Sequence, residues 1–465
     1  MIRFSYPFSG VINKLLSGYL RLIHLLSTCL ASVFYWAVYI RYGMIICLTS
    51  SQVTLFVLNR IWISFFLIAF ISALYQWLFA GNALVFEQII NAIFDMAKLT
   101  VEIAIGLIGI LSFWLGMMKI AEHGGIVAKL AEWISPLFSR LMPEVPKGHP
   151  AMGSMTMNLS ANFLGLDNAA TPLGLKAMQD LQQLNPKKDT ASNAQILFMV
   201  LNTSSVTLFP VSVFVYRAQQ GAVNPTDVFV PILLATFAST MTGLMAVAFV
   251  QRISLVNRVV LVYLSCAMAL IAALAVYFAG LGSQALAAQS SLLGNLLILS
   301  TLVLFMLVAM KRGINVYDSF ISGAKQGFEV SIKLIPYLLA MLCAIGVFRA
   351  SGALDLIVDV IRSLVNGLGF DSRFVDALPT AFMKPLSGSG ARAMMVETMN
   401  NFGADSFAGR LASIIQGSTE TTFYVLAVYF GSVGIRHSRH AVSCGLIADL
   451  GGILAAMSVC YWFFG

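Results

Sequence analysis

NLSANFLGLDNAATP, residues 158–172, is an apolar run that breaks into Gly165, Asp167, Asn168, Thr171 and Pro172 where a lipid-spanning helix would continue. Residues 378–395, LPTAFMKPLSGSGARAMM, do the same with Pro385, Ser387, Gly388, Ser389, Gly390 and Arg392. Backbone groups freed at membrane depth have no water to bond, so such breaks persist only where protein or a wet cavity covers them. Two broken segments in corresponding places predict a core built from repeats, with a binding site between them.

Composition supports a membrane setting. The chain has 465 residues, of which 59% are hydrophobic and 10% charged, and its mean hydropathy is +0.86. A soluble globule carries about 25% charged residues, so the expected class is an all-α polytopic membrane protein. The net charge of +8 comes from cations placed singly or in pairs at the ends of apolar runs. That placement marks topology rather than a nucleic-acid surface. The six cysteines lie inside apolar runs with no metal-ligand or disulfide spacing, so no metal site, cofactor or disulfide framework is expected and the thiols read as small hydrophobes.

Working outward from the two breaks, residues 58–81, 101–121, 229–250, 259–280, 292–310 and 330–348 are each long and apolar enough to cross about 30 Å of hydrocarbon. Residues 82–98 and 126–141 alternate apolar and charged positions at helical spacing and predict helices lying in the interface. Residues 1–57 read as an N-terminal extension or extra spans. The loop of residues 281–291 carries no charge, whereas Arg252, Arg258, Lys311 and Arg312 lie at the far ends of the spans it joins. Those cations belong on the cytoplasmic side, which gives nine crossings from Leu58 plus two re-entrant hairpins.

A repeat is visible at a shift of 227. It matches Ala97, Lys98, Glu102 and Gly125 with Ala324, Lys325, Glu329 and Gly352. Five crossings separate the two copies, and five is odd, so the copies run in opposite directions: two inverted repeats, each with an interfacial helix, a re-entrant hairpin and a broken transmembrane helix. The first hairpin then enters from the cytoplasmic side and the second from outside. Each half also has a second polar cluster, LNTSSVTLFP at residues 201–210 and IQGSTETTFY at 415–424. Aligned, Asn202 meets Gln416, Ser204 meets Ser418, Ser205 meets Thr419 and Thr207 meets Thr421, but Val206 stands opposite Glu420. The expected site is pseudosymmetric in hydroxyls and amides and asymmetric in charge.

From Leu58 to about Arg252 the chain resembles the spore-maturation proteins of type A, through WLGMMKIAE (114–122), PKGHPAMG (146–153), ANFLGLDNAATPLGLKAM (161–178), LNPKKDTAS (184–192) and LNTSSVTL (201–208). From about Leu292 it resembles type B, through VFRASGALD (347–355), GRLASIIQGSTETTFYVLAVYFGSVGI (409–435) and GLIADLGG (445–452). The resemblance implies an A-like half at 58–252, a linker with a joining transmembrane helix at 253–291, and a B-like half at 292–465. Both halves are similar to the Gate, or nucleoside-recognition, domain shared with concentrative nucleoside transporters and ferrous-iron transporters. Where nucleoside carriers have a Gln-Thr-Glu run in the first hairpin, this chain reads Leu166, Asp167, Asn168, Ala169, Ala170, Thr171, and its hairpins lack the cysteine of an iron Gate.

The candidate substrate or ion site is Asp167, Asn168 and Thr171 with Asn202, Thr203, Ser204 and Ser205 in the first half. Ser387, Ser389 and Arg392 with Gln416, Ser418, Thr419, Glu420 and Thr421 complete it in the second. Asp167 and Glu420 are ionisable groups at predicted membrane depth, where such groups mark ion or substrate paths; the alternative for Asp167 is a helix N-cap. Arg392 can clamp an anionic group or pair with Glu397, Asp449 or Glu420. Asp449 reads as a packing or pairing residue, Lys384 as a lysine reaching for the interface. A Ser387–Lys384 nucleophile pair has no third partner, so an enzyme is not expected. The expected function is a secondary transporter or channel for a small polar solute or cation in the bacterial cytoplasmic membrane. The other reading is a non-transporting envelope factor acting through protein partners. Lipid is the expected surrounding, a homo-oligomer is open, and nucleic acid is not an expected partner.

Overall fold

The computed structural model describes residues 50–165, 167–204 and 206–465, and of residues 50–58, 167–169 and 283–284 the backbone alone. The expected extension at 1–57 lies outside the described residues except for the start of the first helix. The described residues are helical throughout, with one isolated β-bridge between Thr190 and His437.

The first repeat runs α1 (Ser50–Ala80), α2 (Leu84–His123), α3 (Ile126–Leu141), α4 (Pro150–Phe163), α5 (Asp167–Leu184), α6 (Asn193–Thr203), α7 (Val211–Gln219) and α8 (Phe229–Gln251). A joining helix α9 (Arg258–Ala279) follows. The second repeat runs α10 (Ser283–Lys311), α11 (Val316–Ala350), α12 (Ala353–Gly367), α13 (Leu378–Met383), α14 (Gly388–Phe402), α15 (Phe407–Ser418), α16 (Thr422–Ser432) and α17 (Ala441–Phe464). Among the described residues seven uninterrupted helices are long and apolar enough to cross a membrane. The broken pairs α6/α7 and α15/α16 are the interrupted helices expected from the polar clusters at 201–210 and 415–424. The protein is an all-α, multi-pass membrane protein.

Element boundaries repeat at the shift of 227: α2 ends at His123 and α11 at Ala350, and α3 begins at Ile126 and α12 at Ala353. Gly125 and Gly352, which turn the chain between them, both sit in the left-handed region at φ 69° and 71°, which glycine enters without a Cβ clash. Val127 and Ala131 of α3 are buried, as are Leu354 and Val358 at the matching positions of α12, while Trp133, Leu356, Val360 and Leu364 face outward. These two helices are the amphipathic, interfacial ones. Residues 82–98 are different: no proline or cap interrupts them, and Leu84–His123 is one 40-residue helix. At about 1.5 Å per residue it exceeds the hydrocarbon thickness, which is why its first turns carry Glu87, Asn91 and Asp95.

α2 and α11 pack along their length as an antiparallel pair. His123 Nδ1 lies 2.9 Å from Ser319 Oγ, Gly323 abuts Leu115 and Lys119, Gly327 abuts Ser112, and Gly346 abuts Met96. As the residue number rises on one helix it falls on the other. Exchanging the repeats by 227 turns the Met96–Gly346 contact into the Lys119–Gly323 contact, so a pseudo-twofold axis passes through this pair. The Gly-x-x-x-Gly face of α11, with Ser319 and Ser331 also buried, lets the backbones approach. A Cβ on Gly327 would stand 2.5 Å from Ser112 Cα. α8 and α17, the last helices of the repeats, cross in the same antiparallel sense at Ser239, Gly243, Gly451 and Gly452. Because α2 and α11 end at opposite ends of the bundle, the hairpins α4/α5 and α13/α14 that follow them enter from opposite ends.

Candidate functional site

α6 opens with a capping box, Gln195 N donating to Ser192 Oγ (3.3 Å) and Ser192 N to Gln195 Oε1 (2.9 Å). It stops at Thr203. Pro210 has no N–H to continue a helix, and α7 resumes at Val211. Residues 206–209 bond to the tip of their own hairpin: Leu208 N donates to Phe163 O (2.8 Å), and Phe209 O lies so near Gly165 (φ 75°) that a Cβ there would be 2.7 Å away. In the second repeat α15 stops at Ser418, Thr419 is extended, and α16 resumes at Thr422. Phe423 N then donates to Pro385 O at the second hairpin tip (3.1 Å). Each hairpin tip thus holds its own broken helix through one backbone carbonyl.

The two breaks touch. Glu420 N donates to Thr203 O at 2.7 Å, so an N–H freed in one repeat satisfies a carbonyl freed in the other. Such pairing is what membrane depth demands of unwound backbone. Around this crossing Asn162 Nδ2 donates to Asn202 Oδ1 (2.7 Å), Tyr429 OH donates to the same oxygen (3.2 Å), and Asn158 Nδ2 reaches Ala170 O (2.7 Å) and Tyr429 OH (3.2 Å). Gly174 makes room for the Tyr429 hydroxyl, and the Tyr429 ring stacks on Phe198 at 5.7 Å.

Asn202, Thr203, Ser204, Ser418, Thr419 and Thr421 are buried at the crossing. Several hydroxyls turn back on their own helices: Ser204 Oγ donates to Val200 O (2.9 Å), Ser418 Oγ to Ile415 O (2.8 Å), and Thr203 Oγ1 meets Met199 Sδ (3.4 Å). Back-bonding of this kind keeps lone pairs available but commits the proton. Ser387 caps α14, accepting from Gly390 N (3.0 Å), and lies 3.2 Å from Ser389 Oγ. Gly388 brings Thr421 close, since a Cβ there would sit 2.9 Å from Thr421 Oγ1. Thr171 is half-buried on α5. Asp167 is the first residue of α5; its side chain, that of Asn168, and Ser205 lie outside the described residues.

Glu420 is exposed beside these buried groups. Tyr424, itself exposed, feels the charges of both Glu420 and Arg392, so these three define the open side of the crossing, while Arg392 also acts on the buried Tyr216. Arg392 Nε donates to Gly388 O (3.1 Å). Two expected partners are engaged elsewhere: Glu397 pairs with Arg349 and accepts from Asn401 (2.5 Å), and Asp449 Oδ2 accepts from Thr422 (2.6 Å). Lys384 does not reach for the interface. It is 2% exposed, and its Nζ donates to Gln416 O at 2.8 Å. The proline after it holds the hairpin tip against the second break, which points the side chain inward. Sequence spacing gave no sign of Tyr429, while Asn158 and Asn162, one helical turn apart just before the first break, carried a signal in their spacing.

The ends of the bundle are tied across the repeats. At the base of the first hairpin Arg436 N and His437 N donate to Asp189 O (2.8 and 2.9 Å), and Ala191 N to His437 O (3.0 Å). Beside this tie opens a cleft of about 630 Å³ lined in part by Glu144, Asn185, Lys187, Asn193 and Arg439. At the base of the second hairpin the tie is ionic: Arg217 Nη2 meets Asp227 (2.9 Å) and Asp405 (3.0 Å), and Arg410 Nε meets Asp227 (2.8 Å).

A family model described as Gate, nucleoside recognition, matches residues 104–220 and 331–436. Over 149 residues the chain is 46% identical to spore maturation protein B of Bacillus subtilis (strain 168), an overlap covering 32% of this chain and 82% of that protein. Over 181 residues it is 41% identical to spore maturation protein A of the same organism, covering 39% of this chain and 89% of that protein. The chain belongs to the spore maturation protein family, with A-type and B-type parts in one polypeptide. Its two Gate matches each end just beyond a broken helix, after α7 and after α16. Both hairpins and both breaks therefore lie inside the Gate matches, while α8 and α17, with Asp449, lie beyond them.

Proposed function

We propose that this protein is a secondary transporter or channel for a small polar solute, nucleoside-like or ion-coupled, working in the bacterial cytoplasmic membrane through a midplane site between its two inverted repeats. The observation that carries the reading is the 2.7 Å bond from Glu420 N to Thr203 O. Two helices unwind at the same point from opposite directions, an arrangement that costs helix hydrogen bonds and recurs where transporters hold polar cargo. Glu420, Arg392 and Ser389 on the open side supply an acceptor, a cation and a hydroxyl. No cofactor is required, and no enzymatic step is proposed.

A panel of nucleosides, amino acids and cations tested for thermal stabilisation of the purified protein checks this. A stabilising ligand should lose its effect in N168A and in E420Q, and should be taken up by proteoliposomes bearing the wild type. Retention of the shift in both variants moves the site elsewhere. The burial of Thr203, Ser204 and Ser418 at 0% exposure favours a second reading, a non-transporting envelope factor that keeps the fold and acts through protein partners. Absence of stabilisation across the panel together with absence of uptake supports that alternative.

A further inference from the structure

Both breaks free a carbonyl, and the two repeats satisfy it differently. In an unbroken helix Gln416 O would accept from Glu420 N, four residues on. That N–H is spent on Thr203 O in the other repeat. The vacated carbonyl, at the negative end of α15, takes instead the ammonium of Lys384 from the hairpin tip (2.8 Å). In the first repeat the matching tip, Leu164 to Leu166, carries no cation.

Two oxygen-bearing groups are tied to Lys384, the Gln416 carbonyl and the Asp449 carboxylate. Asp449, 1% exposed on α17, feels the Lys384 charge and lies against Thr419. Its Oδ2 accepts from Thr422, but its Oδ1 has no hydrogen-bond partner, and neither do Thr419 Oγ1 and Gln416 Oε1. The freed carbonyl that holds the ammonium and the Asp449 carboxylate that feels its charge are hard-oxygen donors of the kind that suits a small cation, with the unpartnered Thr419 hydroxyl against Asp449 and the Gln416 amide on the same residue as the carbonyl. The positive charge present there belongs to the chain.

We propose that Lys384 is a built-in cation: its ammonium fills, at the second break, the place a bound monovalent cation would take, so that this site operates without sodium. The inference deepens the transport reading and rests on it for its mechanical consequence. Movement of the second hairpin away from the break must carry the Lys384 charge with it, away from Gln416 O and Asp449.

The test needs no knowledge of the solute. Full-length protein in nanodiscs is melted in sodium chloride and in choline chloride at equal ionic strength. The wild type and K384R should melt alike in both salts. K384A should melt lower than wild type in choline and regain stability as sodium rises, with the logarithmic dependence that ligand linkage requires. K384A/D449N should lose that sodium response. If K384A does not fold, K384Q, which keeps the length of the side chain, takes its place. The proposal is overturned if whichever variant folds responds to sodium no more than wild type. It is equally overturned if wild type itself is stabilised by sodium in a manner that D449N abolishes. Because melting reads the cation site alone, a failed search for a transported solute leaves this result standing, and a found solute does not rescue it.

Discussion

Removing Arg217 should be among the most damaging single changes outside the helix crossings, and its size follows from burial. Arg217 is fully buried at 0% exposure and distributes its donors to Pro225 O (3.1 Å), Ala404 O (2.7 Å), Asp227 (2.9 Å) and Asp405 (3.0 Å). Asp227 is 2% exposed, whereas the Asp405 side chain is 31% exposed. R217A leaves the Asp227 carboxylate buried with Arg410 alone and strands two backbone carbonyls. Breaking a buried pair from one side costs about 3–5 kcal/mol. D405N removes a partner that water replaces, and costs about 1 kcal/mol or less. R217K falls between, because one ammonium cannot reach four acceptors laid out for a planar fork. Burial pushes the Asp227 carboxyl up while Arg217 and Arg410 pull it down, so the charges are costly in themselves. R217M/D227L should accordingly lose less than R217A. Unfolding free energies from denaturant titration of the purified protein in micelles decide the matter. Equal losses in R217A and D405N, or a double variant worse than R217A, would refute the reasoning.

Three other outcomes follow from particular contacts. G327V puts carbon into a gap where even a Cβ is 2.5 Å from Ser112 Cα and 2.7 Å from Leu111 O; the backbones must separate, at about 1–3 kcal/mol or more, and a G327V protein melting with the wild type contradicts the close crossing. Y429F removes the hydroxyl shared by Asn202 and Asn158 and should cost about 1–3 kcal/mol through unsatisfied buried groups, whereas Y424F, on the open side, should cost little; the reverse order in thermal melts counts against the polar crossing. His440 Nε2 lies 2.9 Å from the Gln251 amide nitrogen, which also donates to Asn193 O (3.1 Å), so the imidazole accepts and is neutral. Burial, with Arg439 adding, holds its pKa below the ordinary value. A base depressed on folding gives stability that is present above its unfolded pKa of about 6.5 and lost as pH falls below it. Melting temperature should drop across that window, and H440Q should flatten the drop; an unchanged slope in H440Q removes His440 from the account.

Much of the architecture is written in local chemistry. Gly125 and Gly352 sit where only a left-handed turn lets the long helix give way to the amphipathic one, so the shift of 227 is a repeat of backbone geometry as well as of letters. Proline, glycine and hydroxyl clusters mark both breaks, because those residues cannot sustain a helix hydrogen-bond ladder. The unbroken run through residues 82–98 was not legible: a polar stripe on a helix looks the same whether the helix lies in the interface or projects past it. Lys384 escaped for a related reason. A lysine in an apolar segment is usually read as reaching for water, and what turns this one inward is a carbonyl on another helix, freed by a break whose N–H leaves for the other repeat. Tyr429 and Arg217 likewise owe their roles to partners far away in the chain.

The two ties at the ends of the bundle differ in what can replace them, and that difference predicts which end opens. Around the first hairpin the tie is made of hydrogen bonds to backbone, Arg436 N and His437 N to Asp189 O, Ala191 N to His437 O and Arg439 Nη1 to Ala191 O, with Arg436, His437 and Asp189 exposed and Ala191 buried. Water can take over the two bonds to Asp189 O at little cost, since a protein–water bond is exchanged for a protein–protein one. Around the second hairpin the tie is Arg217 and Asp227 in the dry interior, where no water waits to solvate the separated charges. Opening at the first end therefore needs only a local fluctuation, while opening at the second needs an ion pair to be hydrated or replaced. Amide hydrogen exchange in nanodiscs reads this directly, because local openings expose amides at free energies well below global unfolding. The amides of Arg436 and His437, on exposed residues, should exchange much faster than that of Asp227, which is 2% exposed and whose N–H donates to Asn224 O at 3.1 Å. In R217A the Asp227 amide should accelerate while the other two stay as they were. Slow exchange at Arg436 and His437, or acceleration of all three together in R217A, would mean that the ends are not held independently and that the difference between their chemistries does not set the order of opening.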